Sequence, residues 1–244
     1  MRHVFVVTYG RSGSTLVQGL LNTLPGVLVR GENGFYVLSL YRAMTTAMEF
    51  RARHARHAPR RVTSAFYGVH EIAPRRFVAT TRNLLTQTLL GGVRRDTVDV
   101  LGFKEVLWHQ VTPQETEGFF DFLDRVFPGA RYVLNTRQHE DVLASGFWQR
   151  RDDDEALAAV ARVEEIQAYL RESRPDRVHD TVYELLAGDD VAASDAQLRD
   201  LATFVIGRCD GDLLEALRET RKTGHGPRAF GVKRRRGEPT SGTG

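Results

Sequence analysis

An apolar run, Val4-Phe5-Val6-Val7, passes almost directly into Tyr9-Gly10-Arg11-Ser12-Gly13-Ser14-Thr15, and Leu16, Leu20 and Leu21 then fall at helical spacing up to Pro25-Gly26. The run reads as a strand buried on both faces, the glycine- and hydroxyl-rich stretch as a tight loop, and the leucines as one face of a helix. A loop at such a junction collects free backbone N–H groups at the positive end of a helix dipole. Gly10 and Gly13 let the backbone wrap closely around a tetrahedral anion, and Arg11, Ser12, Ser14 and Thr15 add donors. The loop that cradles nucleoside triphosphates reads G-x-x-x-x-G-K-S/T. Here Ser14 stands where that lysine would be and the first glycine is too close, which disfavours ATP or GTP hydrolysis but keeps an anion cradle.

The alternation continues along the chain. Val27–Arg30 predicts a second strand ending in Gly31-Glu32-Asn33-Gly34, and Phe35–His57 a long helix that turns strongly basic. Glu71–Leu90 reads as mostly helical, stopped by Gly91-Gly92, and Val98–Val106 contains a third strand around Leu101-Gly102-Phe103-Lys104. Thr116–Phe127 is an amphipathic helix presenting Phe119, Phe120, Leu123 and Phe127, broken by Pro128-Gly129. Arg131–Thr136 is the fourth strand, with Arg137 at its end, and Val178–Tyr183 the fifth. Helices are predicted over His139–Arg150, Asp152–Arg171, Asp195–Ile206 and Asp212–Arg221. Strands alternating with helices predict an α/β fold, a P-loop-like three-layer domain with a central parallel sheet flanked by helices. No repeat or linker divides the chain, so residues 1–232 are expected to form one domain and 233–244 a basic, then flexible, tail.

Lys and Arg number 34 against 31 Asp and Glu, a net charge of +3 that gives little support for nucleic-acid binding. Only Lys104, Lys222 and Lys233 are lysines; the other 31 basic residues are Arg. That bias fits a GC-rich coding sequence of bacterial type, and it means that a lysine retained near a site calls for a functional hypothesis. Cys209 is the sole cysteine, which excludes an intrachain disulfide and a cysteine-based zinc site. His54 and His57, three apart on a basic helix, read as solvated side chains rather than ligands, so no metal is expected. No apolar run approaches the roughly 20 residues of a membrane span, and the N-terminal run is too short for a signal-peptide core. A cytoplasmic protein is expected.

Thr8-Tyr9-Gly10-Arg11-Ser12-Gly13-Ser14-Thr15-Leu16, followed by Leu20-Leu21-Asn22, resembles the 5′-phosphosulfate loop of sulfotransferases that use 3′-phosphoadenosine 5′-phosphosulfate (PAPS). A second match runs from Phe127-Pro128-Gly129 through the strand to Arg137, with Ser145 eight residues further on. The resemblance implies that Arg137 and Ser145 hold the 3′-phosphate. Arg offers a planar fork of donors to a phosphate, and Ser145 would lie about two turns into the next helix. The usual Asp-Pro after the Arg is replaced by Gln138-His139. Thr181-Val182-Tyr183-Glu184-Leu185-Leu186 is similar to the family's Tyr-Glu-x-Leu segment, which implies that Tyr183 lies near the adenine; it can stack on a purine, or serve as a core aromatic. Arg221-Lys222-Thr223-Gly224 resembles a late Arg-Lys-Gly segment that wraps the 3′-phosphate, here with Thr223 inserted.

The resemblance implies in-line sulfuryl transfer to a hydroxyl or amine, with 3′-phosphoadenosine 5′-phosphate (PAP) as product. Like phosphoryl transfer, it needs cations or donors at the transferring group and a base for the acceptor. Lys104 matches a lysine on the corresponding strand that donates to that group; the other reading is a strand-end lysine paired with a neighbouring carboxylate. Arg11 takes the place of a lysine in the first loop of some branches. The cytosolic branch carries its catalytic His two residues after the strand lysine, where Val106 stands here, and His109 is a weaker candidate three residues on. Glu32 follows the second strand in a Gly-Glu context like that of the base in the tyrosylprotein and bacterial carbohydrate branches. Ligands bind at the carboxyl ends of parallel strands, although a glutamate there could also serve only the helix dipole.

Three other readings remain at this stage: a P-loop-type nucleotide transferase or kinase, a non-catalytic PAP-binding module, and a nucleic-acid binder using the Arg-rich surface. The expected partner is a small-molecule or carbohydrate acceptor, without nucleic acid, for a monomer or homodimer.

Overall fold

Alternate residues of the central strand β1 (Arg2–Val7) face two separate cores, Phe5 and Val7 one, Val4 and Val6 the other. The structure is a computed structural model, and it describes residues 1–56, 61–143 and 153–224. With β2 (Val27–Arg30), β3 (Val100–Glu105), β4 (Arg131–Thr136) and β5 (Val178–Val182), β1 forms a parallel sheet in the order β2-β3-β1-β4-β5. The expected α/β fold is therefore observed. Side chains buried on both faces explain why the strands read as continuous apolar runs rather than as alternating ones.

In chain order the helices are α1 (Ser14–Thr23), α2 (Tyr36–His54), α3 (Pro74–Leu90), α4 (Thr116–Val126), α5 (His139–Leu143), α6 (Asp153–Ser173), α7 (Tyr183–Ala187), α8 (Val191–Ile206) and α9 (Gly211–Thr223). Leu20 and Leu21 of α1, Leu198 and Leu201 of α8 and Leu217 of α9 cover the Val4–Val6 face. Leu38 of α2, Leu85 of α3, Phe119 and Phe120 of α4 and Val163 of α6 cover the other. At about 25 cal/mol per Å² of apolar area, these two faces supply the main drive for folding.

Several boundaries differ from the sequence reading, each for a local reason. Tyr183 opens α7 instead of closing β5; five residues are too few to show helical periodicity. Asp190 caps α8 through an N–H of Ala193 at 3.0 Å, so the helix starts four residues before Asp195. Glu71 belongs to a separate single turn, and Pro74 opens α3, as proline does in a first helical turn. Of the helix expected over His139–Arg150, His139–Leu143 is described; the rest lies outside the described residues.

The chain leaves β1 for β2 on one side of it and leaves β4 for β5 on the other. Oppositely directed connections open a crevice at the carboxyl ends of β1 and β4, the standard ligand position in such sheets.

His3, on β1, stacks 4.4 Å from Phe127, and its Nε2 is buried with no partner. Burial first, then the N-terminal ammonium and Arg82 and Arg95, pushes its pKa from 6.5 down to about 4. Between those values the unfolded chain binds the proton and the folded one does not, so stability is lost as pH falls from 6.5 towards 4. His3→Phe should melt with a smaller drop in Tm over that interval than wild type. Equal drops would rule out this source of acid sensitivity.

Candidate active site

A cleft of about 760 Å³ opens at that crevice, a size suited to a nucleotide-sized ligand. Arg11, Gly13, Ser14, Thr15, Glu32, Lys104, Arg137, Tyr183, Arg221 and Lys222 all line it. The loops after β1, β2, β3 and β4 and the ends of α7 and α9 thus converge on one space. Five cationic side chains and one carboxylate face it among the described residues.

The loop after β1 is held open from beneath. Thr8 donates its hydroxyl to the Asn135 carbonyl at 2.9 Å, so the 2.6 Å contact between Thr8 and Ser12 leaves Ser12 as its donor. Ser12 is fully buried, and its hydroxyl therefore faces inward rather than into the cleft. Asn135 Nδ2 donates to the Ser12 carbonyl at 2.8 Å, while Asn135 Oδ1 accepts from Thr181 Oγ1 at 3.1 Å. Arg11 and Gly13 both adopt left-handed backbone, with φ of 67° and 78°. Gly13 precedes α1 without a side-chain cap, and no acidic residue occupies the first turn. The N-terminal amides of α1 therefore face the cleft at the positive end of the helix dipole.

Arg137 is anchored at several points. Its backbone N–H donates to Tyr9 Oη, and that hydroxyl donates to the Arg137 carbonyl, both at 3.0 Å. Burial pushes the Tyr9 phenol up to about 12, which keeps it a donor at neutral pH. Arg137 Nη1 reaches the Arg11 carbonyl at 3.2 Å, and Nη2 lies 3.5 Å from Asp141. The guanidinium stands 4.4 Å over the Tyr183 ring, a cation–π arrangement. Its Nε is buried with no partner. The Tyr183 ring also closes on Gly13: a Cβ there would lie 2.0 Å from Tyr183 Cδ2.

Lys104 emerges on the α1 side of the sheet, and its Nζ donates to Glu32 Oε1 at 2.5 Å. The lysine is 6% exposed and the glutamate 51%. Both residues reach the cleft, so the pairing reading and the site reading of Lys104 describe the same arrangement. His109 lies in the turn Leu107–Gln110 and is not part of the cleft lining. Arg221 lines the cleft but donates to the carbonyls of Leu186, at 2.6 Å, and Gly188, fastening α9 to the end of α7. Lys222 beside it is exposed. Ser145 lies outside the described residues. Among those residues no group of three or more His, Cys, Asp or Glu side chains could share a metal ion.

Sequence reasoning did not single out Asn135, Tyr9 or Glu105. The available signal was a fully polar side chain inside, or at the end of, an otherwise apolar strand: Asn135 follows Tyr132-Val133-Leu134, and Glu105 closes Val100–Glu105.

A parallel α/β sheet with an uncapped helix N-terminus after its first strand, and a basic wall opposite, defines a P-loop-like α/β domain. A family model described as the sulfotransferase family matches residues 3–205. The chain belongs to the sulfotransferase family, and its domain is one built for sulfuryl transfer in general. No curated protein matches the chain. No helix among the described residues is long and apolar enough to cross a membrane.

Gly13 carries both a left-handed φ and the Tyr183 contact, so Gly13→Ala should destabilise the fold. Strain of this kind costs about 1–3 kcal/mol, readable as a lower urea midpoint. A midpoint equal to wild type would mean that the loop and Tyr183 are not locked together.

Proposed function

We propose that this protein transfers the sulfuryl group of PAPS to a hydroxyl or amine of a small-molecule or carbohydrate acceptor, with Glu32 as the base. The observation that carries this reading is the convergence of the α1 N-terminus, Arg137, Lys104 and Glu32 on one cleft. The residues suit a nucleotide carrying anions at both ends. The uncapped amides of α1, with Ser14 and Thr15, suit the 5′-phosphosulfate. Arg137, with an unpartnered buried Nε, suits the 3′-phosphate, together with Lys222 and, outside the described residues, Ser145. Tyr183 offers a ring to the purine, shared with the Arg137 guanidinium. Residues 1–232 would act as one catalytic domain, in the cytoplasm.

PAPS supplies an activated sulfuryl group on a phosphate leaving group. Glu32 takes the proton of the acceptor as its oxygen or nitrogen bonds to sulfur and the S–O bond to phosphate breaks. Lys104 and Arg11 offset the negative charge on the transferring and bridging oxygens. The Glu32–Lys104 pair holds the base beside the cation that faces the reacting centre.

PAP should raise the Tm of the wild-type protein, because a ligand bound only by the native state stabilises it. Arg137→Ala should lose most of that shift; an unchanged shift would reassign the 3′-phosphate site. Glu32→Gln should keep PAP binding and lower kcat by about 10²–10⁴-fold, the usual contribution of a general base. Wild-type turnover in Glu32→Gln with loss in His109→Ala would move the base to His109. Activity should persist in EDTA; loss restored by Mg²⁺ would favour a kinase-like reaction.

A further inference from the structure

We propose that Glu105 is a positioning residue that sets the Glu32–Lys104 pair. The inference rests on the proposed roles of those two residues. Glu105 is fully buried, yet its carboxylate makes no ion pair among the described residues. It accepts four backbone N–H groups instead. Oε2 takes those of Asn33, at 3.2 Å, and Phe35, at 3.0 Å; Oε1 takes those of Val106, at 2.8 Å, and Leu107, at 3.2 Å.

These four donors belong to two loops. Asn33 directly follows Glu32 in the loop after β2, and Phe35 precedes α2 with a left-handed φ of 53°. Val106 and Leu107 follow β3, the strand that carries Lys104. Successive strand residues point to opposite faces of a sheet. Lys104 therefore projects to the α1 side and Glu105 to the α2 side, so one strand end presents the cation to the cleft and ties down the loop bearing its partner. β2 and β3 are neighbours, paired from Val27↔Val100 to Arg30↔Phe103. Beyond Arg30, Glu105 ties the backbones of the two loops together beside the direct contact between Glu32 and Lys104.

A carboxylate suits this place because it is acceptor-only, with room for about four donors. The positive end of α2 lies beside it and favours its charge. An amide offers one oxygen, and its NH₂ group would face two of the N–H donors. Glu105→Gln must therefore release one of the two loops. A displacement of about 1 Å at a catalytic group can cost on the order of 10²-fold in rate, so a loop anchor of this kind acts on catalysis without touching substrate.

Lys104 gives a readout that needs neither nucleotide nor acceptor. The full-length protein would be treated with sulfosuccinimidyl acetate and the acetylation rates of Lys104 and Lys222 followed by peptide mass spectrometry. Glu32→Ala should speed labelling of Lys104 by removing its partner. Glu105→Gln should speed it several-fold as well, leave Lys222 unchanged, and add little in the Glu32→Ala background, because both changes act through the same pair. Glu105→Asp, which keeps the charge but is too short to span both loops, serves the same test if Glu105→Gln does not fold. A wild-type rate at Lys104 in the Glu105 variant overturns the proposal. So does a gain that multiplies with that of Glu32→Ala or extends to Lys222, since either marks general loosening. Failure of PAP to stabilise the wild-type protein would instead count against the nucleotide reading, and the two failures are read separately.

Discussion

One buried amide, that of Asn135, ties the loop after β1 to β4 and β5. It lies on β4, donates to the Ser12 carbonyl of the loop after β1, and accepts from Thr181 on β5. Its own carbonyl takes the Thr8 hydroxyl. Buried polar groups cost about 1–3 kcal/mol each when left unpaired, so these groups satisfy one another only if the loop keeps this path. The left-handed residues Arg11 and Gly13 are thereby held in place from beneath. In the proposed reading, a loop already held in this shape would spend little of an anion's binding energy on ordering.

The same logic extends outward from the loop. Tyr9 exchanges hydrogen bonds with both backbone groups of Arg137, and Arg137 returns one to the Arg11 carbonyl. Tyr183 then fills the space between Gly13 and the guanidinium. Arg137, Tyr183 and the Arg11 backbone thus brace one another at the cleft. Arg221 acts through backbone instead: two of its donors hold the end of α7, so it sets the position of the Tyr183 helix as well as contributing charge.

The fold was legible because its signals are local. Strands β1 to β4 each contain a short apolar run, β5 is the more polar Val178–Val182, and five strands alternating with helices leave a parallel sheet as the consistent solution. The loop between β1 and α1 was legible for the same reason, since Gly10 to Thr15 are contiguous. The order of the strands was not: β3 lies between β2 and β1, a placement that comes from packing the two helical layers. Glu32 and Lys104 could each be named from the chain, but their 2.5 Å pairing crosses 72 positions and depends on two strands being neighbours in the sheet, with Arg30 paired to Phe103. Glu105 was harder still. Its partners are backbone groups, which carry no residue identity, and its neighbour Lys104 drew attention to the opposite face of the strand. The inward turn of the Ser12 hydroxyl has the same cause, for a serine in an anion loop looks identical in sequence whether its oxygen faces the ligand or the core.

The Glu32–Lys104 pair is asymmetric, and the asymmetry suits a reaction. Glu32 is half exposed, so solvent screening leaves the pair little worth as a source of stability. Lys104 is almost fully buried, so it is the member that needs a counter-charge at all times. A negatively charged group seated in the cleft can meet that need in place of Glu32. In the proposed transfer, the arrival of the sulfuryl oxygens would then give the ammonium a second partner while the carboxylate turns to the acceptor proton. The ion pair keeps the Glu32 carboxylate from ranging into solvent and the buried Lys104 cation from standing alone. On that proposal, one contact would serve as storage for two catalytic groups, to be released by the charge of the substrate on which they act.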